Sequence, residues 1–204
     1  MTTKAKFADF DLHRLPGALT LESSIPNILT LHANSPSSFM ADVWEKTNAE
    51  NRPAGTRGQT LLLGLVALFI RESIGPFYVS CGVRGIPTHT WDLVLPHENG
   101  AVTAISSNVT LKERWKVENL AAWGLKREHE MSRAFVVVRN NQEAENLRRL
   151  IETKKAEFID SCVQACSTDL DQLITDLKGF RYVERNSIID RGQRDKGLGP
   201  IHIH

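Results

Sequence analysis

Between residues 60 and 140 the hydrophobic period switches from helical to strand-like and back, and this order restricts the possible folds more than any other feature of the chain. The run LLLGLVALFI, at residues 61–70, is about half the ~20 residues a membrane-spanning helix requires, so it reads as a buried helix over 60–73. Gly75 and Pro76 stop it. Three strand-like runs follow, FYVSCGV at 77–83, TWDLVLP at 90–96 and AVTAISS at 101–107. Turn residues at 85–87 and the tetrapeptide HENG at 97–100, with its hairpin-forming Asn99-Gly100, separate them, which predicts a three-stranded meander. Helical spacing returns in TLKERWKVENLAAWGLKREHEM, where Leu111, Trp115, Leu120 and Trp123 recur on adjacent turns and Thr110 with Glu113 forms a capping-box pattern. The continuous apolar run AFVVVRN at 134–140 then predicts a strand buried on both faces, in the interior of the sheet. The fold class expected is α/β, a mixed sheet flanked by helices.

The flanking segments are less regular. Residues 1–57 are broken by Pro16-Gly17, Pro26 and Pro36 and read as a helical and irregular segment. One helix stands out in it, with Ser35 as N-cap, Pro36 at the first position and Phe39, Val43 and Trp44 on one face. NRPAGTRGQ, at 51–59, reads as a connection carrying Arg52 and Arg57, either solvated or touching phosphate. Residues 142–155 and 156–177 read as two further helices, the second turning Phe158, Cys162, Ala165, Leu170 and Leu173 inward. The glycine-rich end, 179–204, carries Arg181, Arg185, Arg191, Arg194 and Lys196 and reads as an extended basic arm on a single domain whose core is 58–178.

Charge is nearly balanced, with 25 Lys and Arg against 24 Asp and Glu, so a nucleic-acid surface has to come from local clusters. Cys81, Cys162 and Cys166 are sparse and odd in number, and the polar N-terminus MTTKAKFADFDLHR has no secretory pattern; a reduced, cytoplasmic protein without a membrane span is expected. Cys162 and Cys166 stand four apart but lack a second pair of ligands, which favours core packing over a metal.

Asp92 is the exception within the meander. A charge inside a strand is costly unless something binds it, although a strand aspartate is ordinarily a surface acid. The triplet Ser106-Ser107-Asn108 ends the third strand, with Asn108 sixteen positions after Asp92, and TLKERWK begins the next helix. On these residues, over about 58–140, the chain resembles the PD-(D/E)xK nuclease superfamily, in particular type II restriction endonucleases. The resemblance implies an αβββαβ core in which Pro87 and Asp92 are a loosened "PD" and the triplet stands where that family has (D/E)xK or SxK. It further implies a Mg²⁺-dependent endonuclease acting on double-stranded DNA at a specific sequence, and a homodimer if both strands of a palindrome are cut.

In that reading Asp92 and the Ser107 carbonyl hold the metal, Ser106 and Asn108 lie beside the scissile phosphate, and Glu72 or Glu118 brings the second acid. Lys112 assists electrostatically, while Arg57, Lys112, Arg114, Lys116, Arg181, Arg185, Arg191 and Arg194 contact DNA. The sequence departs from the pattern where Asn108 replaces the triplet's lysine, a residue with neither charge nor a titratable proton. The helix acid also departs, because the expected register falls near Ala121 and Glu118 lies one turn earlier. An active nuclease with a rearranged site and a DNA-binding protein that does not cut therefore both stay open, beside a small α/β interaction or assembly subunit.

Overall fold

A computed structural model describes residues 7–86, 89–190 and 198–203; Pro87, Arg191, Arg194 and Lys196, named above, lie outside the described residues. The first helices are α1 (Ala18–Ser24), α2 (Pro36–Lys46) and α3 (Ala54–Arg71), followed by strands β1 (Phe77–Val83), β2 (Trp91–Pro96) and β3 (Val102–Asn108). Next come α4 (Trp115–Glu128), β4 (Arg133–Val138), α5 (Asn141–Glu152), β5 (Ser161–Gln164), α6 (Thr168–Lys178), β6 (Ile189–Asp190) and β7 (Leu198–Ile201).

The strands form one open mixed sheet in the order β5-β4-β3-β2-β1-β6, with β7 also paired to β1. The meander is antiparallel, pairing Val79 with Leu93 and Leu93 with Ile105. Chain reversal through α4 and α5 makes β3, β4 and β5 parallel, with Ile105 beside Phe135 and Phe135 beside Ser161. Residues of β4 alternate between the two cores: Phe135 and Val137 pack with α2, α3 and α6, whereas Ala134, Val136 and Val138 pack with α4 and α5. A strand covered on both faces has no polar side, which is why its sequence shows no alternation.

Ser35 caps α2 as expected: its hydroxyl accepts the Ser38 N–H at 3.1 Å while Ser38 Oγ accepts the Ser35 N–H at 2.9 Å. Elsewhere the structure departs from the sequence expectation. Residues 54–59 are the opening turns of α3, which places Arg57 on a helix 4.0 Å from Glu50. Residues 156–177 are not one helix, since β5 extends the parallel sheet before α6 begins behind Ser167 as N-cap. Cys162 is consequently buried in a strand, where burial pushes its thiol up to about 12, and Cys166 lies in the connection that follows. No capping box forms at Thr110; α4 is preceded by a 3-10 turn at Lys112–Arg114, and the Glu143 carboxylate accepts the Leu111 N–H at 2.5 Å.

The described parts of the C-terminal segment fold back onto the sheet. Val183 N–H donates to the Pro96 carbonyl at 2.9 Å, and Ile189, Leu198 and Ile201 are buried against β1. Apolar residues between the basic ones make this return favourable, so the stretch is an edge of the sheet and not an extended arm.

Candidate functional site

The two acids singled out by their positions meet at the far end of the β2–β3 hairpin, away from its turn. Asp92, near the start of β2, is half-buried, and its Oδ2 accepts two bonds from Ser107, one from the backbone N–H at 2.5 Å and one from the hydroxyl at 2.8 Å. Both fall on the same oxygen, and no donor among the described residues reaches Oδ1. The β1–β2 register places Ser80 opposite Asp92, and Ser80 has a φ of +53°, a left-handed conformation uncommon for serine.

Glu118 comes from α4, which crosses this end of the sheet, and its carboxylate is fully buried over the last residues of β3. Oε2 accepts the Ser106 hydroxyl at 2.7 Å; Oε1 accepts Arg114 Nε at 3.2 Å and Asn108 Nδ2 at 3.4 Å. His89, in the connection before β2, places Nε2 3.3 Å from Glu118 Oε2 without hydrogen-bond alignment, so this buried nitrogen has no hydrogen-bond partner among the described residues. The His89 ring packs edge-on to Trp91 at 4.4 Å between centroids.

Burial and charge act differently on the two carboxyls. Asp92 is held above the usual aspartate range, chiefly because burial penalises its ionised form; the Ser107 bonds and Arg114 oppose this, and the charge of Glu118 adds to it. Burial alone would also raise Glu118, but the combined pull of His89, Ser106 and Arg114 leaves it below the usual range. One acid is thus fixed as an anion by its partners, and the other is an anion the protein stabilises poorly.

A divalent cation fits that arrangement. Asp92 offers a hard oxygen free of donors beside a second carboxylate, and Mg²⁺ retains several waters and needs few protein ligands. Glu118 is less available, because Ser106 and Arg114 already occupy its oxygens. No group of three or more potential ligand side chains is assembled among the described residues.

The remaining candidates divide by location. Ser106, Ser107 and Asn108 all touch one of the two acids. Lys112 is exposed and lines a cleft with Trp115, Glu143 and Asn146 toward α5, so the cation beside the acids is Arg114. Lys116 pairs with Glu113 on the exposed side of the helix. Glu72 ends α3, bonded to Lys178 at 2.5 Å and 3.5 Å from Arg71, and is not brought to Asp92. Arg181, exposed, and Arg185, half-buried, lie beside the 97–100 turn, where the Arg181 carbonyl accepts the Glu98 N–H and Arg185 donates to the Glu98 carbonyl. At about 3.3 Å per residue this turn is roughly 15 Å from Asp92 along β2. His89 belongs to no motif and becomes visible only through its neighbours in space.

No known protein family, no curated protein and no solved structure matches the chain. The helices that are present also include none long and apolar enough to cross a membrane, among the described residues.

Proposed function

We propose that the protein is a Mg²⁺-dependent endonuclease of the type II restriction kind, acting on double-stranded DNA with the Asp92–Glu118 cluster as its active site. The observation that carries this reading is the meeting of two carboxylates over the end of β3, Asp92 bonded through one oxygen to Ser107 and Glu118 held by Ser106 and Arg114. The order α3-β1-β2-β3-α4-β4 supports it, being the αβββαβ order of the PD-(D/E)xK nucleases.

In this reading Asp92 would hold the cation, and Ser107 fixes the carboxylate by donating twice to Oδ2. A bound divalent ion supplies charge neutralisation at the phosphate and a more acidic water. Glu118 keeps Ser106, Asn108 and Arg114 in place, and Arg114, mostly exposed, brings positive charge to the mouth of the site where a phosphate would lie. Asn108 can donate a hydrogen bond but cannot take a proton, so water activation falls to the cation and the acids.

A second reading, DNA binding without cleavage, is favoured by Asn108 itself. Supercoiled plasmid incubated with Mg²⁺ or Mn²⁺ separates the two. The nuclease reading expects discrete fragments that disappear in Asp92→Ala and a faster cut in Asn108→Lys, whose ammonium would stand beside Glu118 Oε1. Salt-sensitive binding without fragments favours the second reading, and no binding at low salt overturns both.

A further inference from the structure

We propose that the cleft between α1 and α3 is a binding site for a small phosphorylated sugar or polyol. This inference does not rest on the proposed function, because α1 and α3 pack on the face of the sheet opposite α4, which carries Glu118. Helices that pack together ordinarily turn apolar stripes toward each other. Here the facing stripes are mostly polar. Thr56, Gln59, Thr60 and Leu63 recur at helical spacing along α3, Thr20, Leu21 and Ser24 do so on α1, and all of them line a cleft of about 330 Å³. Only Leu21 and Leu63 among them are apolar. No hydrogen bond crosses the cleft among the described residues: Thr60 Oγ1 donates to the Thr56 carbonyl at 3.1 Å and Ser24 Oγ to the Thr20 carbonyl at 2.9 Å, each within its own helix. Polar stripes that face each other unpaired give α1 no packing advantage, whereas a ligand that bridges them does.

The charge of the lining has one sign. Arg52 is its charged member, and among the described residues no carboxylate lines the cleft and none pairs with Arg52. The nearby acid, Glu50, is taken by Trp44 Nε1 at 2.7 Å and Arg57 at 4.0 Å. A guanidinium without an acid calls for an anion, and its planar set of donors suits phosphate. Thr56 and Gln59, whose side chains bond to no described residue, add donors beside it.

The other hydroxyls act in the opposite sense. Thr47 and Thr60, both buried, and Ser24, exposed, all donate their protons to helix carbonyls, Thr47 Oγ1 to that of Val43 at 2.8 Å, so the cleft meets only their lone pairs. These oxygens accept from a ligand that carries hydroxyl donors of its own. A bare anion leaves them unmatched, whereas a phosphorylated sugar supplies both the acceptor for Arg52 and the donors for the threonines. The volume lies at the lower end of the ~300–1,000 Å³ of small-ligand sites, which suits one sugar ring with its phosphate and not a dinucleotide.

Isothermal titration of the full chain with ribose 5-phosphate, ribose, inorganic phosphate and a short DNA duplex tests the proposal. Ribose 5-phosphate is expected to bind once per chain, about tenfold or more tighter than ribose or inorganic phosphate. Arg52→Ala should lower that affinity about tenfold or more, toward that of ribose, and Thr60→Val should lower it while leaving the affinity for inorganic phosphate unchanged. Both variants should keep the circular-dichroism spectrum of the natural chain, since Arg52 is exposed and valine has the shape of threonine. No binding of ribose 5-phosphate, equal affinity for inorganic phosphate, or unchanged binding by either variant overturns the proposal. Displacement of the sugar phosphate by the duplex, lost in Arg52→Ala, also overturns it, because the cleft then belongs to the DNA backbone.

Discussion

The two ends of the β2–β3 hairpin both bury polar side chains, and they do so by opposite means. At the turn end, His97 Nε2 and Thr103 Oγ1 are 2.8 Å apart, and the ring is enclosed by Phe180 at 4.9 Å and Tyr182 at 5.0 Å. Ser132 Oγ closes the same region by accepting the Val102 N–H at 2.8 Å. Every partner is neutral and matched, and burial, with the charge of Arg133, holds the His97 imidazole below its usual range. At the far end, two carboxylates share one small region, one is held above its usual range, and the buried His89 Nε2 lies 3.3 Å from Glu118 Oε2. A matched neutral cluster specifies a fold, whereas an unmatched charged one calls for a further role, of which a bound ligand is one. On the proposed function, structure belongs to one end and chemistry to the other.

The largest expected effect breaks the turn end. His97→Ala removes the partner of the fully buried Thr103 hydroxyl and leaves a cavity between Phe180 and Tyr182, so it should cost about 2–4 kcal/mol in a urea melt. It should leave plasmid cleavage by the folded protein unchanged.

Asp92→Asn should act in the other direction. The amide oxygen can still accept both Ser107 donors, and the burial penalty on the charge is removed, so stability should rise by about 1 kcal/mol, or roughly 2–4 °C in Tm, while cleavage is lost. A fall in stability would instead mark Asp92 as a structural residue like His97.

The smallest effect lies in the pH dependence of these differences. Because the folded pKa of Asp92 is raised, its contribution is present below the usual aspartate value and is lost as pH rises through the elevated one. The advantage of Asp92→Asn should therefore be small in acid and grow toward neutrality. The folded pKa of His97 is depressed, so its contribution is present above the usual histidine value and is lost as pH falls. The natural chain should weaken relative to His97→Gln below about pH 6.5. Chemical melts at several pH values measure both slopes, which should have opposite signs.

Much of this contrast was legible before the fold was known. Asp92 stood out because a charge interrupts a strand, and the meander, α2 and β4 were readable from turn dipeptides, a Ser-Pro cap and hydrophobic runs. What was missed depends on contacts distant in sequence. β5 is four residues buried against β4 and α5, and so short an apolar run cannot be told from a helix by period alone. Trp123 fits the same helical spacing as the core residues, yet it faces outward, because spacing fixes a stripe and not which stripe is covered. His89 joins the site through Glu118, a relation no local pattern encodes, whereas Arg114 stands four residues before Glu118, at helical spacing.

Completion of the far end by a divalent cation is tested most directly by Mn²⁺ binding followed by electron paramagnetic resonance. The natural chain and His97→Ala, both verified as folded, should sequester Mn²⁺ equally, and Asp92→Asn should not. Equal binding by Asp92→Asn, or none by the natural chain, would contradict the assignment of Asp92 as the metal ligand.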